Sequence, residues 1–284
     1  MKRLLKSISA AIALLFFSVN ISFGEVSSDD FGKRMKKVMS LYEQSLYEAA
    51  QNEIESIKSD FRQLNLLDEA QLEGYALLCD ILLEKPNMDA LVLDYEEKYQ
   101  NTPELAKAKF LQSSYYFRKG DYDKSMEIMD KITYSFLSKD DKIQFLFNRS
   151  FIQLKGGDLI SARNGFSELC SRKRNSYTVP ATYYSGYIAY LNKEFRNAVS
   201  ILSSIQDDDN FGHLSRCYLL ESHLMLEDYD YVIEQGPEVY KFAENNMRPQ
   251  IARIISDAHF KMNNPELAKK WLDEYMITGK DFSR

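Results

Sequence analysis

The feature that most constrains the fold is a repeat whose period lies in the mid-thirties of residues. Seven segments of the chain can be aligned on one position, which is usually a small residue within an apolar run at helical spacing. Successive copies of this position, which form one column of the alignment, are 41, 34, 37, 36, 34 and 36 residues apart. The column contains Ala50, Leu91, Ser125, Ala162, Ala198, Val232 and Ala268. A period sustained in this way indicates stacked structural units, each of which buries its apolar faces against its neighbours.

A second column lies twelve residues upstream of the first, and most of its members are also small. It contains Val38, Cys79, Ser113, Ser150, Gly186, Leu220 and Ser256. Two helices approach closely only where the facing positions lack bulk, so the paired columns predict one helix hairpin in each repeat. The large residues Leu91, Leu220 and Val232 leave the geometry of the second and sixth hairpins open.

The turns between the predicted helices follow the same period. Gly120-Asp121 and Gly157-Asp158 supply a glycine that ends one helix and an aspartate that caps the next. An apolar residue then packs into each hairpin, and these residues are Tyr47, Tyr122, Leu159, Phe195 and Tyr229. Pro237 falls inside a predicted second helix, where we expect a break or a kink because proline removes a backbone donor.

This pattern resembles the tetratricopeptide repeat (TPR), in which antiparallel helices meet at small residues beside a Gly-Asp-Tyr-like turn. The best copy, residues 95–132, reads YEEKYQNTPELAKAKFLQSSYYFRKGDYDKSMEIMDKI. The resemblance covers residues 31–278 and is to repeats of exported bacterial proteins, including periplasmic factors of envelope maintenance and outer-membrane assembly. It implies an all-α fold, a right-handed α-solenoid of about seven hairpins, whose concave face is lined by the first helix of each pair.

The predicted domain organisation is a signal peptide, residues 1–24, followed by one TPR-like domain, residues 25–284. The repeats lie approximately at residues 31–67, 68–102, 103–139, 140–177, 178–209, 210–247 and 248–278.

The N-terminal segment has the pattern of a secretory signal. Lys2, Arg3 and Lys6 precede an apolar run from Ile8 to Val19, and Ser22 and Gly24 are small residues at a cleavage site. The alternative is a membrane anchor, but the run is shorter than the roughly 18 residues that a span needs. No cysteine follows the cleavage site, so we expect an exported, soluble periplasmic protein that is neither a lipoprotein nor membrane-spanning.

Composition excludes several classes of protein. The 36 Lys and Arg residues against 42 Asp and Glu residues give a net charge of −6, which argues against a general nucleic-acid binder. The 11 Gly and 6 Pro residues are few for an all-β sandwich or a dinucleotide-binding fold. An apolar content of 45% excludes wholesale disorder.

Candidate chemistry is sparse. The chain contains no HExxH, GxSxG, Walker-type or GxGxxG motif, so we expect a protein that is not an enzyme and has no cofactor. Cys79, Cys170 and Cys217 lie among apolar residues, which favours buried thiols over a redox or metal role. His223 and His259 share one repeat column, which indicates packing rather than metal binding.

Two charged segments need a separate interpretation. Asp207-Asp208-Asp209-Asn210 lacks the ligand spacing of a calcium loop, and Arg172-Lys173-Arg174 is short, so both favour solvated loops over ion-binding sites.

The remaining candidate is an aromatic strip on the first helices, at positions three before, one after and four after the upstream small column. The predicted partner-binding residues are Phe110, Ser114, Phe117, Phe147, Phe151, Tyr183, Tyr187 and Tyr190. The alternative is that these aromatics form the core between helices, as stripes at helical spacing usually do. If the strip is a groove, it fits an extended or helical peptide from a protein partner in the bacterial envelope.

The sequence thus predicts a non-enzymatic scaffold or adaptor that binds a protein or peptide in the envelope. The alternative is a solenoid that binds a small molecule or a glycan, with the aromatic strip stacking on sugar rings. An enzyme with an unrecognised site is a third possibility.

The last predicted helix also carries Leu267, Trp271, Leu272, Tyr275 and Met276. Because the end of a solenoid normally has a polar outer face, these residues predict self-association, a second subunit or a longer array at this edge.

Overall fold

The computed structural model describes residues 28–61 and 63–280, and all regular structure within them is helical. The α-helices are α1 Ser28–Glu43, α2 Tyr47–Asp60, α3 Leu66–Leu82, α4 Met88–Lys98, α5 Pro103–Lys119, α6 Tyr122–Asp130, α7 Lys139–Lys155, α8 Leu159–Ser171, α9 Thr178–Leu191, α10 Phe195–Leu202, α11 Gly212–Met225, α12 Tyr229–Phe242, α13 Arg248–Lys261 and α14 Pro265–Lys280. Short 3-10 helices occupy Tyr134–Phe136 and Ser203–Ile205. The predicted all-α fold is confirmed, whereas the predicted signal peptide lies outside the described residues.

The chain divides into two compact units, one ending at Leu105 and the other beginning at Ala106. In the first unit, α1 packs on α2, α3 packs on α4, and α3 also contacts α1 and α2. In the second unit, each helix from α6 to α13 packs on the helix that follows it, and α11 also contacts α9 and α13. Odd-numbered helices are therefore the first members of hairpins (A helices) and even-numbered helices the second members (B helices), which gives seven hairpins in a TPR-like arrangement.

The two columns of small residues are the contacts between the A and B helices of a hairpin. The Ser125 hydroxyl donates to the carbonyl of Ser113 at 2.9 Å, and the Ser256 hydroxyl donates to the carbonyl of Ala268 at 2.8 Å. Every member of both columns is buried except Leu91, which is half-buried. The large residues Val232 and Leu220 are fully buried, so they are accommodated within the sixth hairpin.

The seven turns within the hairpins share one backbone conformation. Each contains a residue at positive φ, and these residues are Ser45, Glu84, Gly120, Gly157, Lys193, Glu227 and Asn263. In the fifth turn, the Lys193 N–H donates to the Tyr190 carbonyl and the Glu194 N–H donates to the Ala189 carbonyl, both at 2.9 Å. This pair of bonds is the Schellman motif, which satisfies carbonyls at the end of the A helix.

The shared turn geometry makes a stability prediction. Lys193→Gly should raise the free energy of unfolding by roughly 0.5–1 kcal/mol, because a non-glycine residue is strained at positive φ while glycine is not. Gly157→Ala should lower it by about 1 kcal/mol, since a Cβ there meets no atom within 4 Å and only the backbone conformation is penalised. Urea denaturation followed by circular dichroism measures both, and equal or reversed signs would contradict the shared-turn account.

Of the break or kink predicted at Pro237, the break is wrong. Helix α12 runs through this residue from Tyr229 to Phe242. Val232 before the proline and Val239 after it pack in the same apolar cluster, which α13 also contributes to. This packing on both sides offsets the one backbone hydrogen bond that the proline removes.

The prediction of three buried thiols is correct for two. Cys79 and Cys217 are buried, and burial raises the pKa of their thiols to about 11 and about 12, respectively. Cys170 is exposed: it is the penultimate residue of α8, and its Sγ lies 3.5 Å from the Thr182 hydroxyl of α9. All three thiols are free.

Candidate functional site

Three residues predicted to line a groove are instead part of the core. Phe110 is 2% exposed, Ser114 is 3% exposed and Tyr183 is 7% exposed. Phe110 packs in a cluster with Met129, and Tyr183 packs in a cluster with Leu219. The prediction is therefore corrected for these three positions, because neighbouring helices cover their side chains.

Three more residues of the predicted strip, Phe117, Phe147 and Phe151, are half-buried among rings of neighbouring helices. The ring centroid of Phe151 lies 5.5 Å from that of Phe117 on α5 and 5.4 Å from that of Tyr184 on α9. The ring of Phe147 lies 5.8 Å from that of Phe166 on α8. These contacts match the alternative interpretation, in which aromatics at helical spacing fill the space between helices.

Tyr187 and Tyr190 of α9 and Tyr218 of α11 are half-buried and form what we call the tyrosine face. The ring of Tyr218 lies 5.0 Å from the rings of both Tyr187 and Tyr190. Desolvation, followed by the neighbouring Tyr187, raises the pKa of Tyr218 to about 12. The hydroxyl of Tyr218 therefore stays neutral at ordinary pH, as a hydrogen-bonding group beside aromatic surface.

An ion-pair network adjoins the tyrosine face on α11 and α13. Glu221, whose side chain is 14% exposed, accepts hydrogen bonds from Gln250 at 2.6 Å and from Arg253 at 3.1 Å. Arg253 also donates to Asp257 at 2.9 Å. Burial and a hydrogen bond with Glu221 raise the pKa of the Tyr190 hydroxyl, so this network and the tyrosine face are connected.

Arg253 and Asp257 carry no aromatic ring and so fall outside the predicted strip, although they share its register. They occupy the positions three before and one after the small column at Ser256, which are the positions that Phe147 and Phe151 occupy around Ser150. The same register is therefore aromatic in the middle of the second unit and charged at its C-terminal end.

Two of the three described histidines, His223 and His259, have packing contacts. His223 Nδ1 lies 2.8 Å from an oxygen of Asp228, and its ring stacks on Tyr231 at 3.7 Å. His259 is 5% exposed, which agrees with the packing position expected for this column. Within residues 28–61 and 63–280, no group of three or more His, Cys, Asp or Glu side chains is placed to hold a metal ion.

Buried His259 makes stability depend on pH. Desolvation lowers its pKa below the ordinary value of 6.5, so the native state favours the neutral ring. The unfolded chain takes up a proton first as the pH falls through about 6.5, and stability should then fall by at most about 1.4 kcal/mol per pH unit until the native ring also protonates. Urea denaturation at several pH values above 5 should show this slope in the wild type and its loss in His259→Leu; an unchanged slope would exclude His259 as its source.

The two charged segments are solvated loops, as expected. Asp207 is exposed and accepts a hydrogen bond from Arg216 at 2.8 Å, while the Asp208 carboxylate accepts backbone N–H bonds from Asn210 and Phe211 at 3.0 Å. Arg172 pairs with Glu168 one helical turn away.

The first unit contains a cleft of about 490 Å³ between α2, α3 and α4. Its carboxylates include Asp80, which pairs with Lys85 at 2.6 Å, and Glu73, which pairs with Lys58 at 3.1 Å. The Tyr95 hydroxyl at its wall donates to the Ala70 carbonyl at 2.8 Å. The cleft is thus polar, and these charges are already paired.

Comparison with known proteins supports the fold and adds nothing on a ligand. The sequence matches no protein-family model and no curated protein. Among solved structures, the crystal structure of the apo form of RapI is similar over 89% of this chain and 77% of that chain, with a TM-score of 0.58 and 12% identity. A crystal structure of Podosopora anserina putative kinesin light chain nearly identical TPR-like repeats is similar over 65% of this chain and 100% of that chain, with a TM-score of 0.48 and 11% identity.

Within the part of the chain that the structure describes, none of the helices has the length and apolar character required to cross a membrane. The seven hairpins, together with the similarity to RapI, give the chain a TPR-like helical-repeat fold.

Proposed function

We propose that this protein is a non-enzymatic interaction scaffold that binds a protein or peptide partner on the tyrosine face. The observation that carries the proposal is the combination of Tyr187, Tyr190 and Tyr218 with Arg253 on three neighbouring A helices. Tyrosine and arginine are enriched among the residues that dominate binding energy in protein interfaces.

The chemistry of the face supports binding rather than catalysis. Its rings offer apolar area at low entropic cost, and its hydroxyls offer hydrogen bonds. Glu221 and Arg253 are paired with each other and hold α11 and α13 together. Because rigid elements position these groups, a partner can bind without first ordering a loop.

We also propose that the protein is exported to the periplasm of a bacterium and acts in the cell envelope. The support is the sequence pattern of residues 1–24, with its basic start, short apolar run and small residues before Glu25. N-terminal sequencing of protein recovered from the periplasmic fraction should begin at Glu25. Recovery of the full-length chain from the cytoplasm alone would reject the location.

The binding proposal is tested by quantitative co-purification from envelope extract. The variant Tyr187→Ala with Tyr218→Ala should lose at least about tenfold of the specifically enriched partner, since aromatic anchors typically contribute more than 1 kcal/mol each. The matched control is Tyr134→Ala with Phe136→Ala, two exposed aromatics of the 3-10 helix after α6. Circular dichroism verifies that both variants keep wild-type helicity; equal enrichment in both would reject the face as the binding surface.

A second candidate function is the binding of a small polar molecule or a glycan in the cleft of the first unit. The observation that favours it is the cleft itself, about 490 Å³, whose lining includes Glu73 and Asp80 with their lysine partners Lys58 and Lys85. Titration calorimetry with cell-wall glycan fragments tests it. Binding that Glu73→Gln weakens would support this function, and an absence of heat at millimolar ligand would reject it.

A further inference from the structure

One column of the B helices is covered by neighbouring hairpins everywhere except at the last hairpin. It lies four residues after the small column and contains Ile54, Tyr95, Met129, Phe166, Leu202, Gly236 and Leu272. The first six are buried, whereas Leu272 is 47% exposed. The A helix of the next hairpin is what buries this position. At Gly236, for example, a Cβ would lie 2.6 Å from Ile255 of α13.

A column of the A helices behaves in the same way. Phe117 of α5 contacts Phe151 of α7 at 5.5 Å, and Tyr190 of α9 contacts Tyr218 of α11 at 5.0 Å. The counterpart in the last hairpin is Phe260, which is 71% exposed. Both columns therefore identify an inter-hairpin contact surface on α13 and α14 that no described helix covers.

We call this surface the terminal face and define it by Phe260, Leu272 and Met276. Met276 is 52% exposed and lies one turn beyond Leu272 on α14. Single exposed apolar residues are common on protein surfaces. Several large ones on a surface that elsewhere in the repeat contacts the next hairpin indicate an interaction surface.

The charges of α14 point to the occupant. Lys269 lies one turn before Leu272, Asp273 follows it directly, and both are exposed. If two copies of α14 pair antiparallel about Leu272, the lysine of each copy lies within a turn of the aspartate of the other. A twofold arrangement of this kind is self-complementary in charge as well as in apolar contact.

We infer that a second copy of this chain covers the terminal face, giving a twofold dimer through α13 and α14. This inference does not rest on the proposed function. The residues that define the dimer contact belong to α13 and α14. They are part of neither the first unit nor the tyrosine face on α9 and α11.

Sedimentation velocity and light scattering over a range of micromolar concentrations test the dimer. The wild type should have twice the mass of its monomer, which is 33.1 kDa for all 284 residues and smaller once the proposed signal peptide is removed, and Leu272→Glu should have the monomer mass. The matched control Leu93→Glu, at a position that is 55% exposed on α4, should stay dimeric. A monomeric wild type would overturn the inference, and so would a Leu272→Glu variant that keeps wild-type helicity and remains dimeric.

A charge exchange tests the orientation. Lys269→Glu should raise the dimer Kd by at least about tenfold, because it places like charges across the interface. Adding Asp273→Lys should restore the Kd to within about threefold of the wild type, because the exchanged pairs are again complementary. Additive weakening in the double variant would overturn the antiparallel arrangement.

Discussion

Replacing Phe166 by alanine is expected to lower the free energy of unfolding by about 3–5 kcal/mol. The side chain is 0% exposed and lies on α8 between the helices on either side. Its ring stacks on Tyr184 of α9 at 5.3 Å and meets Phe147 of α7 at 5.8 Å. The variant loses both aromatic contacts and leaves a cavity that surrounding helices fill only in part.

The matched control is Ile160→Ala on the same helix, where the side chain is 77% exposed. It should change stability by no more than about 0.5 kcal/mol. Urea denaturation followed by circular dichroism measures both variants, and native-state hydrogen exchange locates the loss. If Phe166→Ala costs no more than Ile160→Ala, the packing of α8 between α7 and α9 is not as described.

Gly186→Leu is expected to cost about 3 kcal/mol or more, through overpacking rather than a cavity. A Cβ at this position would lie 2.6 Å from both Cγ and Cδ2 of Leu202 on α10, and Leu202 is itself fully buried. The A and B helices of the fifth hairpin can approach this closely only because position 186 has no side chain.

Two further variants separate overpacking from a general effect of mutating helical glycines. Gly32→Ala on α1 meets no atom within 4 Å and should raise stability by roughly 0.5–1 kcal/mol, since alanine is the better helix former. In the background of Leu202→Ala, Gly186→Leu should cost much less than it does in the wild type, because the space is shared. An equal cost in both backgrounds would exclude this contact as the cause.

The fold could be predicted because its period is imposed by backbone geometry. Helices that meet at Ser113 and Ser125, or at Gly186 and Ala198, need small residues wherever they touch, and this requirement is visible without coordinates. The turns were harder to predict beyond Gly120 and Gly157, since Lys193, Glu227 and Asn263 adopt the same positive φ without being glycine.

The candidate site was predicted only in part, for a physical reason. Aromatics at a fixed helical register can fill a groove or the space between helices, and the choice depends on how closely neighbouring A helices pack. Phe110 and Tyr183 are covered, whereas Tyr187 in the adjacent turn of α9 is only half-buried. Arg253 and Asp257 occupy the same register on α13, but they are charged, so a search for aromatic residues does not find them.

Pro237 and Cys170 are single residues whose structure also depends on tertiary packing, which the local sequence does not show. A local rule predicts a break or a kink at the proline, but α12 is unbroken there and packs against α13 on both sides of it. An apolar neighbourhood in sequence predicts a buried Cys170, but its side chain in the last turn of α8 is exposed.

Photo-crosslinking tests the central claim, that the tyrosine face binds the partner. Benzoyl-phenylalanine is introduced at Tyr187 in one variant and at Tyr134, an aromatic that is 38% exposed, in the control. After irradiation in living cells, the Tyr187 variant should form a discrete covalent adduct with a partner protein, and the Tyr134 variant should not. No adduct at Tyr187, or adducts of equal yield at both positions, would contradict the assignment of this face as the binding surface.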